Sequence, residues 1–430
     1  MCSIIYLVRK MTRDIILNQK KELEQKLREK YVHRVPGFSG EAGNLTRVII
    51  GPRRAGKSFF GIHQLVSSES FGFVNFDDER LLKVSDFDEI LEAVNGVYAN
   101  PELLLLDEIQ NLPDWEIIVN RLQRQGVKLI ITGSNSNLLS SELASHLTGR
   151  HLPVYIFTFS FSEYITSFEN ELTEVEKNEK FNNFLTNGGY PEPLIKLLNY
   201  REYLQVLFDS ILFKDIVKRY HIRQAGLLEN LATWLISNIA SEFSLNSLSK
   251  QIQISSVHTV KNYISYLEES FIFFTLPVFS FKVGEQQRSN KKIYCFDNGF
   301  YMAKAFHFSE DKGKLLENMI ASELNRRCLY KGLKLFYWKD RNQDEVDFVI
   351  QEGTKITQLI QVCWDSRNMK TREREVRALL KASRKLNCNK LIVITYDEES
   401  SEDLNWFGFS GKVQFVIARK WLLDEQYLMH

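Results

Sequence analysis

The sequence predicts an α/β protein built around a parallel sheet with helices on both faces. An apolar, β-branched run at 46–50 is typical of a buried strand, and a glycine-bounded loop and a helical pattern at 59–66 follow it. Four leucines at 103–106 suit a strand that is buried on both faces of a parallel sheet. The runs at 72–79 and 127–135 predict two further core strands, each ending in polar residues.

The glycine-bounded loop fits the pattern GxxxxGK[ST] of a phosphate-binding loop. A preceding strand and a following helix are the context this function requires, because the loop amides and the helix N-terminus then point toward negative charge. Lys57 would reach the β- and γ-phosphates, and the Ser58 hydroxyl would ligate Mg²⁺. A chance match in an ordinary strand-to-helix turn is the alternative. The predicted nucleotide-binding residues are Gly51, Pro52, Arg53, Arg54, Ala55, Gly56, Lys57 and Ser58.

Two carboxylates, Asp107 and Glu108, directly follow the four leucines. Asp107 would lie at the carboxyl edge of the sheet, where open α/β sheets bind ligands, and would hold Mg²⁺. Glu108 would polarise the attacking water as a general base. Asp77 and Asp78, at the end of the neighbouring strand, are the next candidates for that role. Either carboxylate alone is compatible with a surface position, but the pair after a phosphate loop favours nucleotide hydrolysis.

The predicted cofactors are ATP and Mg²⁺. The sequence contains no Asn-Lys-x-Asp stretch of the kind that specifies guanine, and this favours ATP over GTP. Ser134 and Asn135 follow the strand predicted at 127–133, where a polar side chain would contact the γ-phosphate or the attacking water. A simple strand-ending turn is the alternative for these two residues.

Composition is that of an ordinary soluble globular protein, with 430 residues, 44% hydrophobic residues and 25% charged residues. The net charge of +1 gives no global argument for nucleic-acid binding, so any such contact would need a local patch. The five cysteines are scattered and form no CxxC pair, which predicts neither a zinc site nor a disulfide framework and fits the cytoplasm. The apolar run at 3–8 is too short for a signal-peptide core, no membrane association is expected, and Met11 is an alternative start.

Several stretches resemble a prokaryotic family of AAA-type ATPases. The resemblance implies that a polar residue at a strand end senses the nucleotide, and that an arginine follows a small lid region. Arg150 matches that arginine, and it would act within its own subunit or on a neighbour in a homo-oligomer. The family carries a C-terminal region of unassigned function. The matching stretches are Gly-Pro-Arg-Arg-Ala-Gly-Lys-Ser at 51–58, Leu-Leu-Asp-Glu-Ile-Gln at 105–110, Thr-Gly-Ser-Asn at 132–135, Leu-Thr-Gly-Arg at 147–150, and the segments 159–164, 188–192 and 294–299.

Five segments are predicted along the chain. A P-loop NTPase core is followed by a helical lid, a winged-helix-like unit and a restriction-endonuclease-like α/β domain. The predicted boundaries are 1–40 for an N-terminal helical segment, 41–158 for the ATPase core, 159–225 for the lid and linker, 226–289 for the winged-helix-like unit and 290–430 for the nuclease-like domain.

The winged-helix prediction rests on residues 245–267. Ser255 and Ser256 would cap a helix whose apolar residues recur at 257, 260, 264 and 267. The outward side chains His258, Thr259, Lys261 and Asn262 suit a DNA recognition helix. Use of this unit as a plain packing module is an equal alternative to DNA recognition.

The element order of the last region resembles the restriction-endonuclease-like fold, whose members hold magnesium with a helix Glu, a strand Asp and a Glu-x-Lys stretch. Glu317 and Asp347 match, but Gln361 and Cys363 stand where the resemblance implies Glu and Lys. We therefore expect no nuclease activity, because an amide and a thiol are poor substitutes for a hard ligand and a positive charge. The basic stretch 370–384 is typical of a solvated helix face, and a nucleic-acid patch is the alternative.

The preferred function is ATP hydrolysis that drives a conformational change in C-terminal domains acting on a macromolecule, with nucleic acid as the expected target. One alternative is a nucleotide-gated adaptor that binds DNA through 245–267 and the C-terminal domain. The other alternative is an ATP-dependent nuclease.

Overall fold

A computed structural model describes residues 2–35, 45–66, 70–84, 86–134, 151–306 and 311–424. Two of the predicted site residues, Asn135 and Arg150, lie outside these ranges. The chain divides into two compact units, Met1–Thr158 and Phe159–His430. The finer division into five domains stays a prediction.

The first unit contains five strands and at least four helices in its described part. The strands are β1 (Thr46–Ile50), β2 (Phe71–Asn75), β3 (Leu103–Asp107), β4 (Lys128–Gly133) and β5 (His151–Tyr155), and the helices are α1 (Cys2–Lys26), α2 (Lys57–Leu65), α3 (Phe87–Tyr98) and α4 (Trp115–Arg124). The strands form one fully parallel sheet in the order β2-β3-β4-β1-β5. This confirms the predicted parallel sheet flanked by helices. The carboxyl ends of β1, β3 and β4 therefore lie side by side at one edge.

The central strands are buried because their side chains are apolar on both faces. Ile49 of β1, Leu105 of β3 and Ile130 of β4 pack in one cluster with Phe60 and Ile62 of α2. Within the segment 1–40, predicted to be helical, the helix begins at Cys2 and ends at Lys26. It also pairs with the edge strand β2, since the Gln19 side chain donates to the Asn75 carbonyl and accepts from its amide, each at 3.0 Å.

The second unit begins with helices, as predicted for 160–225. They are α5 (Phe161–Thr166), α6 (Glu174–Asn187), α7 (Pro191–Ile195) and α8 (Tyr200–Ser210), which continues as a π-helical stretch, Ile211–Val217. The predicted break at 187–191 is confirmed. Glycine is required there, because a Cβ on Gly188 would lie 1.7 Å from Asp297 Oδ1 and one on Gly189 would lie 2.3 Å from the Phe159 carbonyl oxygen.

A three-stranded antiparallel sheet with three packed helices follows. Its elements are α9 (Ala225–Ser237), β6 (Ser241–Phe243), α10 (Leu245–Gln251), α11 (Val257–Glu269), β7 (Phe273–Pro277), the short helix α12 (Val283–Arg288) and β8 (Lys291–Cys295), with strand order β6-β8-β7. The assignment of this region as a winged-helix-like unit stays a prediction. The Ser256 side chain caps α11 by accepting from the Thr259 amide, as predicted.

The last region is a six-stranded mixed sheet in the order β13-β14-β12-β11-β10-β9, flanked by helices. Its elements are α13 (Asn298–Lys304), α14 (Lys312–Lys331), β9 (Lys334–Lys339), β10 (Glu345–Glu352), β11 (Lys355–Cys363), α15 (Met369–Leu386), β12 (Leu391–Thr395), β13 (Ser400–Trp406), β14 (Phe409–Ile417) and α16 (Ala418–Leu423). The hairpin β13–β14 was not predicted.

Among the residues that the structure describes, no helix combines the length and the apolarity that crossing a membrane requires.

Candidate nucleotide-binding and hydrolysis site

The loop Gly51–Ser58 connects β1 to α2 at the carboxyl edge of the parallel sheet. Gly56 adopts a left-handed conformation with φ 92°, and α2 begins at the next residue, Lys57. Gly51 admits no side chain, because a Cβ there would lie 1.8 Å from the Ile156 carbonyl oxygen. The two glycines of the motif are thus required by the shape of the loop itself.

Arg34, which the sequence analysis did not identify, stabilises this loop through hydrogen bonds. The guanidinium of Arg34 is buried and donates to the Ala55 carbonyl at 2.9 Å and to the Phe157 carbonyl. Arg34 therefore ties the phosphate-loop backbone to the chain that follows β5. Nothing in the sequence around Arg34 predicts this contact, because its partners lie 21 and 123 residues away.

Lys57 is buried within the first unit. Its ammonium donates to the carbonyl of Pro52, in its own loop, at 2.9 Å. The same nitrogen lies 3.9 Å from Glu108 Oε1. The lysine predicted to contact phosphates and the carboxylate predicted to act as base are thus adjacent.

Asp107 ends β3 and is also buried. Its Oδ1 accepts a hydrogen bond from the Thr132 hydroxyl at 2.6 Å, and the Ser58 side chain lies near enough to affect its pKa. Burial raises the pKa of Asp107 to about 6 and the neighbouring Glu108 adds to the shift, while the hydrogen bond from Thr132 and the nearby Ser58 side chain oppose it. The two predicted magnesium ligands, Ser58 and Asp107, thus lie near each other at this edge of the sheet.

Glu108 follows in a left-handed conformation with φ 51°. Its amide donates to the Thr132 hydroxyl oxygen at 3.0 Å, and its carboxylate accepts from the Gln110 side chain and faces Lys57. One threonine hydroxyl therefore holds the side chain of Asp107 and the backbone of Glu108 at once. Sequence reasoning selected Ser134 and Asn135 from this strand and missed Thr132.

Of the remaining predicted residues, Ser134 is half-buried directly after β4. The two alternative bases are engaged elsewhere, because Asp77 accepts from Asn111 at 2.9 Å and Asp78 pairs with Arg80 at 2.7 Å. Their carboxylates therefore already have partners near β2.

The residues at this edge fit a magnesium–nucleotide complex. A serine hydroxyl and an aspartate carboxylate converge, and such hard oxygen donors suit Mg²⁺. The loop backbone and the N-terminus of α2 form the type of anion site that nucleotide phosphates occupy. Ser58 and Asp107 would hold the metal, and Gly51–Ser58 would hold the phosphates.

Comparison with known proteins supports this description. A family model described as an AAA domain matches residues 44–165, and two models described as domains of unknown function, DUF8612 and DUF4143, match residues 178–311 and 312–407. The uncharacterized protein MJ1544 of Methanocaldococcus jannaschii is 33% identical over 401 residues, which cover 88% of this chain and 88% of that protein. The chain belongs to a family of AAA-type P-loop ATPases with C-terminal domains of unknown function.

Two further similarities extend over most of the chain. An uncharacterized protein of Haemophilus influenzae is 27% identical over 351 residues, covering 76% of this chain and 84% of that protein. Among solved structures, the Walker-type ATPase PABY2304 of Pyrococcus abyssi matches 66% of this chain and 95% of its own chain, with 13% identity and a TM-score of 0.42.

A second cluster of charges lies in the other unit, at the position of the nuclease-like carboxylates. The ammonium of Lys292, on β8, is buried and lies 3.0 Å from Glu317 Oε1, 2.5 Å from Glu345 Oε1 and 3.0 Å from Asp347 Oδ1. The Tyr294 hydroxyl also donates to Glu317 at 2.8 Å. Each of the three hydrogens of the ammonium thus has a carboxylate partner, and the lysine comes from outside the six-stranded sheet.

Burial by itself would lower the pKa of the Lys292 ammonium, but the carboxylates around it, Glu317 foremost, raise that pKa well above its ordinary value. Burial raises the pKa of Glu317 to about 7, with Asp347 adding to the shift and Lys292 opposing it. The lysine therefore stays charged, and it pairs with both carboxylates that resemble nuclease ligands.

The remaining positions of the nuclease-like pattern face other partners. The Gln361 side chain accepts from the Asp347 amide at 3.1 Å and donates to Glu375. Cys363 is buried, and burial raises the pKa of its thiol to about 12. Gln361 thus has a structural hydrogen-bonding role, and Cys363 remains a neutral thiol.

We expect Lys292→Met to destabilise the second unit by about 3–5 kcal/mol, because removing one partner leaves buried carboxylates without compensation. The loss should shrink as the pH falls, since protonation neutralises Glu317 and Asp347. Urea unfolding at neutral and at mildly acidic pH measures both effects. The matched control is Lys291→Met on the same strand, where we expect a change within about 0.5 kcal/mol. Equal effects of the two substitutions would contradict the role of Lys292 in compensating the buried carboxylates.

Proposed function

We propose that the protein hydrolyses ATP with Mg²⁺ at the edge formed by β1, β3 and β4. The observation that carries this proposal is the position of Asp107 and Glu108, both held by Thr132, with Glu108 facing Lys57 of the phosphate loop. Bound Mg²⁺ would supply charge neutralisation on the phosphates. Lys57 would contact the phosphates, and Glu108 would orient and deprotonate the attacking water.

In the arrangement described, Glu108 is held by two partners. Its carboxylate accepts from Gln110 and lies 3.9 Å from the Lys57 ammonium. A nucleotide whose phosphates attract Lys57 would remove one of these partners. We infer that phosphate binding frees the Glu108 carboxylate for water, and that Thr132 keeps its backbone in place throughout.

Three further roles belong to the same proposal. Ser134 and Asn135 would sense the γ-phosphate, and Arg150 would complete the site in its own subunit or in a neighbouring subunit of a homo-oligomer. The lid at 159–225 would close over the nucleotide. We also infer a cytoplasmic protein, because four described cysteines, Cys295, Cys328, Cys363 and Cys388, are free thiols.

We further propose that ATP turnover acts through the C-terminal domains on nucleic acid. The support is the winged-helix-like arrangement of α9 to β8, whose helix α11 leaves His258 and Lys261 exposed. A nucleotide-gated adaptor that binds DNA without turnover would share this surface, so the rate of ATP hydrolysis separates the two functions.

We expect Glu108→Gln to bind ATP like the wild type but to hydrolyse it about 10²–10⁴-fold more slowly, because the general base is lost while the phosphate loop is intact. Steady-state phosphate release and binding of a fluorescent ATP analogue measure the two properties. Lys57→Ala serves as the contrast and should lose binding as well. A fall in turnover of less than about threefold would rule out Glu108 as the base and direct attention to Asp77 and Asp78.

We propose that the nuclease-like domain does not cleave nucleic acid. The Lys292 ammonium lies between Glu317 and Asp347, where the resemblance to the restriction-endonuclease-like fold implies a metal ion. Purified wild-type protein should leave single- and double-stranded DNA intact with Mg²⁺ or Mn²⁺, and so should Asp347→Ala. A restriction enzyme in the same buffer is the positive control. Cleavage by the wild type that Asp347→Ala lacks would instead support the ATP-dependent nuclease.

A further inference from the structure

A cluster of exposed cations lies between the π-helical stretch and α9. Lys214, Lys218, Arg219 and Arg223 are all exposed, and none of them forms an ion pair with another residue in the described part of the chain. Positive charge that lacks an internal partner is the electrostatic feature of a surface that binds an anion. The net charge of the chain, +1, gives no global argument for binding nucleic acid, but this short segment forms a local basic patch.

The other basic stretch of the chain, on α15, is different. Arg372 pairs with Glu398 and Glu402, and Arg377 and Lys381 both pair with Asp344. These cations stabilise the fold of the six-stranded sheet region and are neutralised there. The four cations at 214–223 thus differ from Arg372, Arg377 and Lys381, because they have no ion pair among the residues that the structure describes and follow one another closely in the chain.

The patch is fixed against the helix α11. The Tyr220 ring stacks on Tyr266 with centroids 3.7 Å apart and planes 8° from parallel, and the Tyr220 hydroxyl donates to Glu269. Glu269 also accepts from Ser265 at 3.0 Å. Lys218, Arg219 and Arg223, within three residues of Tyr220, are therefore held beside the exposed side of α11 and do not belong to a separate surface.

Tyr266 ends a stripe of side chains on that helix. His258, Asn262 and Tyr266 recur at four-residue spacing and so share one face, and the His258 and Asn262 side chains contact each other at 3.4 Å. At 1.5 Å per residue the stripe is about 12 Å long, close to the width of the DNA major groove. Exposed Lys261 lies next to it.

We propose that α11 and the patch at 214–223 form one binding surface for duplex DNA. This inference rests on the nucleic-acid target put forward as part of the proposed function. The His258–Asn262 stripe lies in the major groove, and Lys218, Arg219 and Arg223 contact the phosphates beside it.

The same surface fits RNA and single strands less well. Proteins that bind single strands offer aromatic faces for base stacking, whereas Tyr220 and Tyr266 already stack on each other. Duplex RNA has a deep, narrow major groove that side chains on a helix do not read. Polar side chains on a helix, flanked by cations, are the combination that suits B-form DNA.

The test is the salt dependence of duplex binding by the full-length protein. In the triple variant Lys218→Gln/Arg219→Gln/Arg223→Gln, we expect affinity for a 5′-labelled DNA duplex of about 30 base pairs to fall more than about tenfold at low salt. The slope of log K against log salt should fall by about 2.7, since each phosphate contact contributes about 0.9. Fluorescence anisotropy over a salt series measures both quantities.

The control variant removes the same charge elsewhere in the second unit. Lys334, Lys355 and Lys412 are exposed and have no ion pair with any other described residue, so Lys334→Gln/Lys355→Gln/Lys412→Gln should keep the wild-type affinity and slope. Equal losses in both triple variants, or no loss in the patch variant, would overturn the proposal. So would an RNA duplex or single strand that displaces the labelled DNA better than unlabelled duplex DNA does.

ATP turnover of the wild type and of the control variant, measured without DNA, separates this inference from the ATPase proposal. Turnover without any duplex binding would overturn the DNA surface and leave the ATPase in place. Duplex binding with the expected loss in the patch variant, but without turnover, would support the surface and identify the adaptor as the function.

Discussion

The site depends on the parallel register of β3 and β4. Leu106 pairs with Ile131, so the residues that follow, Asp107 and Thr132, come level at the carboxyl edge. The Thr132 hydroxyl donates to Asp107 at 2.6 Å and accepts from the Glu108 amide at 3.0 Å. A single hydroxyl therefore fixes two carboxylate residues with different proposed roles. A shift of one residue in the register of β4 would turn the Thr132 side chain to the opposite face of the sheet.

The features that the sequence could predict are local. The phosphate loop, the apolar strands and the Ser256 cap each depend on residues within a few positions of one another, so their patterns can be recognised in the sequence. Thr132 could not be found in this way, because its role follows from the pairing of two strands. Lys292 was missed for the same reason, since two of its partners lie 25 and 55 residues away. The hairpin β13–β14 escaped prediction because β13 is mostly polar and has no buried residue.

Two buried lysines show how similar groups serve different purposes. Lys57 donates to a carbonyl of its own loop and faces one carboxylate at 3.9 Å, an arrangement that leaves it able to meet an incoming phosphate. Lys292 is surrounded by three carboxylates at 2.5–3.0 Å, and its charge is fully compensated. The first lysine belongs to the proposed nucleotide site, and the second joins the three-stranded sheet to the six-stranded sheet within the second unit.

The most direct measurement compares ATP turnover by Thr132→Val and Thr132→Ser. Valine keeps the shape but loses a hydrogen bond to a charged group, worth about 1.5–3 kcal/mol. This corresponds to turnover about 10–100-fold slower, with ATP binding retained. Serine keeps the hydroxyl and should stay within about threefold of the wild type. Wild-type turnover by Thr132→Val, or an equal loss in both variants, would contradict the account.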